Sequence, residues 1–128
     1  MGAPEHSEET KMQYLCLIYS EEGTGPQPGT DEFGPFIQAY MDFGARMQEQ
    51  GKFVSGDALQ PVATATTVSV RDGKTTTTDG PFAETKEQLG GFYIIEVDTL
   101  DEAIAWAKKI PITGDGAVEV RPTLGPNM

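Results

Sequence analysis

The sequence predicts an α+β fold in the order βαββαβ with an added β-hairpin, and three observations carry that expectation. Apolar strand-like runs open the chain, "QYLCLIYS", and recur late, "GFYIIEVD". Two stretches, 35–50 and 100–110, place their apolar residues at helical spacing. Between them Asp72-Gly73 separates two alternating runs, the two-residue connection that a hairpin requires.

Gln13–Ser20 is apolar at both parities, the pattern of a central strand covered on both faces. "EEGTGPQPGTDEFG" follows, rich in Gly and Pro, and reads either as a lid or contact segment or as a solvated connection. Phe36, Ile37, Tyr40, Phe43, Gly44 and Met47 then form one helical stripe, with Pro35 suited to a first turn and Gly51 to a left-handed stop. "KFVSGDAL" is a short strand ending near Asp57. Thr66, Val68 and Val70 alternate with Thr67, Ser69 and Arg71, and "KTTTT" returns after the turn.

In the late strand Tyr93, Ile95 and Val97 share one face, and Phe92, Ile94 and Glu96 the other. Thr99 and Glu102 have capping-box spacing, Leu100, Ala103, Ile104, Ala107 and Ile110 make the stripe with Trp106 at its flank, and Pro111 ends the helix. "AVEVRP" closes the chain as a strand. This order is the ferredoxin-like split βαβ unit, with both helices on one sheet face. Apolar Phe92 and Ile94 on the other face call for a second sheet against it, hence a homodimer.

At 128 residues and 38 % hydrophobic the chain fits one domain. Its net charge of -11 repels phosphate backbones and anionic lipid, so neither nucleic acid nor membrane is an expected partner. Cys16 is the sole cysteine, which excludes an intrachain disulfide and a multi-cysteine zinc site and suits the cytoplasm. Residues 1–11 are acidic and patternless, read as a disordered extension that takes His6, the only histidine, out of the fold.

"TDGPFAETKEQLGG", 78–91, gathers the chemistry-bearing residues. With histidine missing, a general acid or base must be a carboxylate, tyrosine or lysine, and Asp79 and Glu84 are the catalytic candidates, with Lys86 to hold an anionic group. The competing reading is architectural: Asp79-Gly80-Pro81 as turn chemistry, Phe82 as a hydrophobic peg, and 83–89 as a helical turn closed by Gly90. Arg121 and Glu119 share a parity on the last strand, where they either bind a ligand's carboxylate or phosphate or pair with each other. Asp57 either joins the same cleft or serves a turn. No glycine-rich nucleotide cradle and no metal-ligand spacing occurs, so no cofactor is called for.

"MQYLCLIYS", "TDGPFAETKEQLGGFYIIEVDTLDEAIAWAKKIP" and "GAVEVRP" together resemble the DGPF-domain branch of the YCII-related family, with 12–123 as the domain and 124–128 as a tail. The resemblance implies a ferredoxin-like fold that dimerises sheet to sheet into a dimeric α/β-barrel, with a cleft near the dimer interface. A histidine–aspartate acid–base pair is proposed in the wider group; from Met12 onward this chain has no histidine, so that mechanism does not transfer. The branch is also associated with extracytoplasmic-function sigma factors. Three functions therefore stand as expectations: a dimeric protein binding a small organic molecule, anionic in one reading, in a polar cleft; a regulatory or interaction protein associated with such a sigma factor; and a lyase or isomerase using Asp79 or Glu84 as its base.

Overall fold

The computed structural model describes residues 11–112 and 114–125, so His6, nearly all of the expected disordered extension and the end of the tail lie outside the described residues. Strand β1 (Met12–Ser20) leads to helix α1 (Phe33–Glu49) and strand β2 (Phe53–Ala58). A single 3₁₀ turn at Val62–Thr64 precedes the hairpin of β3 (Thr66–Arg71) and β4 (Lys74–Asp79). Strand β5 (Gln88–Val97), helix α2 (Leu100–Ala107) and strand β6 (Ala117–Pro122) complete the order.

The main sheet runs β2-β5-β1-β6 with every neighbouring pair antiparallel. The fold is thus α+β with antiparallel sheets and two helices, and its strand order is consistent with the ferredoxin-like unit. Both central strands are the apolar runs of the sequence, because a strand with two neighbours and a helix layer above it loses most water contact. The register pairs Cys16 with Tyr93 and with Val120, while Leu17 pairs with Phe92 and with Glu119. Alternate rows therefore face opposite ways.

The core occupies the helix side: Tyr14, Cys16 and Ile18 of β1, Phe43 and Met47 of α1, Ile95 and Val97 of β5, with Ala103, Trp106 and Ile110 closing the far end. Burying each large apolar side chain contributes about 1.5–3 kcal/mol. Phe43 locks the aromatic part, its ring 5.3 Å from Tyr93 and 6.0 Å from Trp106, both edge-on. On the opposite face Leu15, Leu17, Phe92 and Ile94 are only half-buried, and among the described residues no helix covers them.

Helix α1 ends as expected at Gly51, whose φ of 72° lets the Lys52 N–H reach the Met47 carbonyl at 2.9 Å and its own N–H reach Gln48 at 3.1 Å. Helix α2 starts on its capping box: the Glu102 N–H donates to Thr99 Oγ1 at 3.1 Å, and the Asp98 N–H donates to Glu102 Oε1 at 3.3 Å. One expectation for this helix needs correcting. Trp106, expected at the flank of the stripe, is 5 % exposed, while Leu100 is 49 % exposed. The buried line runs through Ala103, Trp106 and Ile110, because small Ala103 admits the indole against Phe43.

The hairpin turns through Asp72 and Gly73 with φ of 53° and 76°, the primed geometry that suits the twist of its strands. It forms its own two-stranded sheet, and Val68 and Val70 stay exposed. The expected helical turn at 83–89 does not form. Gln88 donates to the Ala83 and Thr85 carbonyls instead, and Gln88 and Leu89 already pair with Ser20 and Tyr19 as strand. Phe82, expected as a peg, is 76 % exposed.

Candidate functional site

A cavity of about 470 Å³ opens between the first turns of α1 and one end of the sheet. Phe36, Ile37, Tyr40 and Met41 wall it from the helix, and Ile18 and Tyr93 from the sheet. Its existence follows from what the floor lacks. Gly91 sits in register between Ile18 and Ala58, and Gly56 faces Tyr93, so along this end the helix side of β2 and β5 carries almost no side chain. Neither Gly56 nor Gly91 can carry even a methyl here without a shift: a Cβ on Gly56 would lie 2.6 Å from Tyr93 Cδ1, and one on Gly91 3.0 Å from the Asp57 carbonyl oxygen.

Two phenols and Ser20 are the uncharged polar side chains of this space. Tyr40 and Tyr93 border it, and among the described residues neither hydroxyl has a protein hydrogen-bond partner. Burial pushes the Tyr40 phenol up to about 12, with the nearby Tyr93 adding to the effect, and burial raises Tyr93 likewise. Both therefore stay protonated donors throughout the neutral range. The rings are held from behind, Tyr40 edge-on to Phe36 at 5.3 Å and Tyr93 edge-on to Phe43 and Phe53.

The structure distributes the residues expected at a site over three places. Asp57 borders the cavity, where among the described residues it is the only charged one, and its Oδ1 accepts from the Ala58 N–H at 3.0 Å. Its register row is Asp57, Phe92, Leu17, Glu119, and the next is Ser55, Ile94, Leu15, Arg121. Asp57, Glu119 and Arg121 thus share the sheet face away from the helices, but at opposite edges, about 14 Å apart at three strand spacings. Arg121 and Glu119 engage each other, with Arg121 Nε 3.0 Å from Glu119 Oε2, which is the pairing the sequence left as one alternative. Asp79, Glu84 and Lys86 lie exposed at the end of β4 and in the loop before β5. Lys86 Nζ comes only to 4.0 Å from Glu21, an exposed pair of little energetic weight.

The residues that sequence reasoning passed over are Tyr40, Tyr93 and the floor glycines. Tyr40 belongs to the helical stripe and Tyr93 to the strand face, as the periodicity predicts. The available signal was Gly56 inside "FVSGDA" and Gly90-Gly91 at the head of an apolar strand, since a glycine within a strand marks a close approach or a space. A second, more open groove lies along α2 and β6, bordered by Ile104, Lys108, Ile112 and Val120. Among the described residues no three His, Cys, Asp or Glu side chains gather as metal ligands, and no helix is long and apolar enough to cross a membrane.

Comparison with known proteins agrees with this architecture. The model of a family described as the YCII-related domain matches residues 12–124. The chain is also similar to an uncharacterized protein of Rhizobium meliloti (strain 1021), 36 % identical over 115 residues that cover 87 % of this chain and 91 % of the relative. From β1 through β6 the sequence and its antiparallel sheet thus answer to one family description, and the chain belongs to the YCII-related family.

Proposed function

We propose that this chain is a binding protein for a small organic molecule, seated in the cavity between α1 and the β2-β5-β1 end of the sheet. The observation that carries the reading is the cavity itself: about 470 Å³, within the usual range for ligand sites, walled by apolar side chains and bordered by two phenols free to donate. The "DGPF" of Asp79–Phe82 would place it in the DGPF branch of its family. A thermal-shift screen against a metabolite library tests the reading, because a ligand bound only by the native state at 100 times its Kd adds about 2.7 kcal/mol of stability. Ala58→Phe, on the exposed edge strand of the cavity floor, supplies the control. Hits should stabilise the native chain and lose their effect in that variant. A library that shifts neither protein, or shifts both equally, refutes the cavity as the site.

The binding unit is a homodimer in this proposal, formed through the helix-free sheet face. Leu15, Leu17, Phe92 and Ile94 support it, a continuous apolar block in the middle of a four-stranded face with Glu119 and Arg121 at one edge. Light scattering at micromolar concentration should return twice the mass of the chain; a monomer there overturns the dimer.

A further inference from the structure

The lining of the α1 cavity says more than that something binds there. Neither lysine, arginine nor histidine borders it among the described residues, and Asp57, which does, carries its carboxylate on the row that faces away from the helices, so no positive charge faces the space. The whole chain adds a net charge of -11. A carboxylate or phosphate entering this space meets no counter-charge, and stripping its water there is costly. The same environment resists ionisation of Tyr40 and Tyr93. An uncharged apolar body instead displaces water from Phe36, Ile37 and Ile18 at a gain. The space is roughly three times the ~150 Å³ that encloses one benzene ring.

The phenols set the remaining requirement. Tyr40 from the helix wall and Tyr93 from the sheet wall border the same space, near enough for each phenol to feel the other's charge, with their rings held edge-on by Phe36, Phe43 and Phe53. A ligand oxygen with two lone pairs satisfies both; a ligand lacking one leaves them unpaired when water is driven out. We propose that the α1 cavity takes an uncharged, mostly apolar molecule that offers an oxygen acceptor, a ketone, ester or ether, to the hydroxyls of Tyr40 and Tyr93. This rests on the reading of that cavity as the ligand site, and of the small molecules expected from the sequence it sets aside the anionic reading.

The test uses three probes of one shape: 2-acetylnaphthalene, 2-naphthoate and naphthalene, titrated by NMR into the full chain, its Tyr40→Phe/Tyr93→Phe double variant and Ala58→Phe. The ketone should bind at least tenfold tighter than the carboxylate. The double variant should weaken the ketone by about two- to tenfold per hydroxyl lost and leave naphthalene unchanged. Carboxylate binding as tight as the ketone's, and abolished by Ala58→Phe, overturns the ligand class while leaving the cavity as the site. Ketone affinity indifferent to the lost hydroxyls overturns the acceptor requirement. If no probe binds, or Ala58→Phe changes nothing, both this inference and the site it rests on fall.

Discussion

Replacing Gly56 by alanine tests directly why a cavity exists at that end of the sheet. The new methyl would stand 2.6 Å from Tyr93 Cδ1 and 2.9 Å from the Phe92 carbonyl oxygen. Neither neighbour yields cheaply. The Phe92 oxygen belongs to the backbone of a central strand, and the Tyr93 ring is held between Phe43 and Phe53 with centroids 5.3 and 6.4 Å away. Overpacking of this kind costs about 1–3 kcal/mol, which for a chain of this size lowers Tm by roughly 3–5 °C per kcal/mol. Two neighbours calibrate it. Gly91→Ala meets the Asp57 oxygen at 3.0 Å and should fall in between, while Gly90→Ala finds its nearest atom at 4.0 Å and should stay within about 0.5 kcal/mol of the parent. Urea unfolding at one fixed protein concentration, with unchanged m, measures all three. Equal stability of Gly56→Ala and Gly90→Ala would refute the account of the floor as a sterically enforced gap.

Three further expectations follow from single contacts. Thr99→Ala removes the acceptor for the Glu102 N–H and should cost about 0.5–2 kcal/mol, read from urea midpoints; an unchanged midpoint would show that the cap bond carries no weight. Glu102 has its carboxyl held below the usual range, first by the Lys52 hydrogen bond at 2.9 Å, with the Asp98 amide assisting. Being depressed, it contributes stability that is present above the unfolded pKa of about 4.3 and is lost as pH falls through the lower folded value. Lys52→Met should therefore flatten the stability loss below about pH 5, and a variant curve parallel to the parent's there contradicts the assignment. Cys16 is 1 % exposed with its thiol pushed up to about 11 by burial, so a disulfide reagent at pH 8 should label it no faster than the chain unfolds; labelling within seconds of mixing would show the core to be open.

The fold was legible because its elements are locally consistent. The Thr99–Glu102 box, the Gly51 stop, the Asp72-Gly73 turn and the two apolar strands each declare one structure, and tertiary packing had no reason to override them. Where the reading slipped, a choice between neighbours was at stake. Trp106 lies one step from the assumed stripe, and 83–89 has helix-compatible residues whose carbonyls are claimed by Gln88. Periodicity assigns a face only to within a residue or so, and it cannot foresee a side chain that competes for the backbone.

The site was illegible for a different reason. Sequence reasoning looks for groups that do chemistry, so it settled on Asp79, Glu84 and Lys86 in the 78–91 stretch. Those charges are clustered in a loop where solvent tolerates them, and only Asp57 of the six candidates borders the cavity. The cavity comes from missing atoms at Gly56, Gly91 and Ala58, and missing atoms have no residue type to search for. Its two phenols were hidden by doing a second job, since the rings of Tyr40 and Tyr93 each extend an apolar face while the same residues border the space. Glycines within adjoining strands, with tyrosines on the strand and the covering helix that border the same space, are thus the pattern to seek.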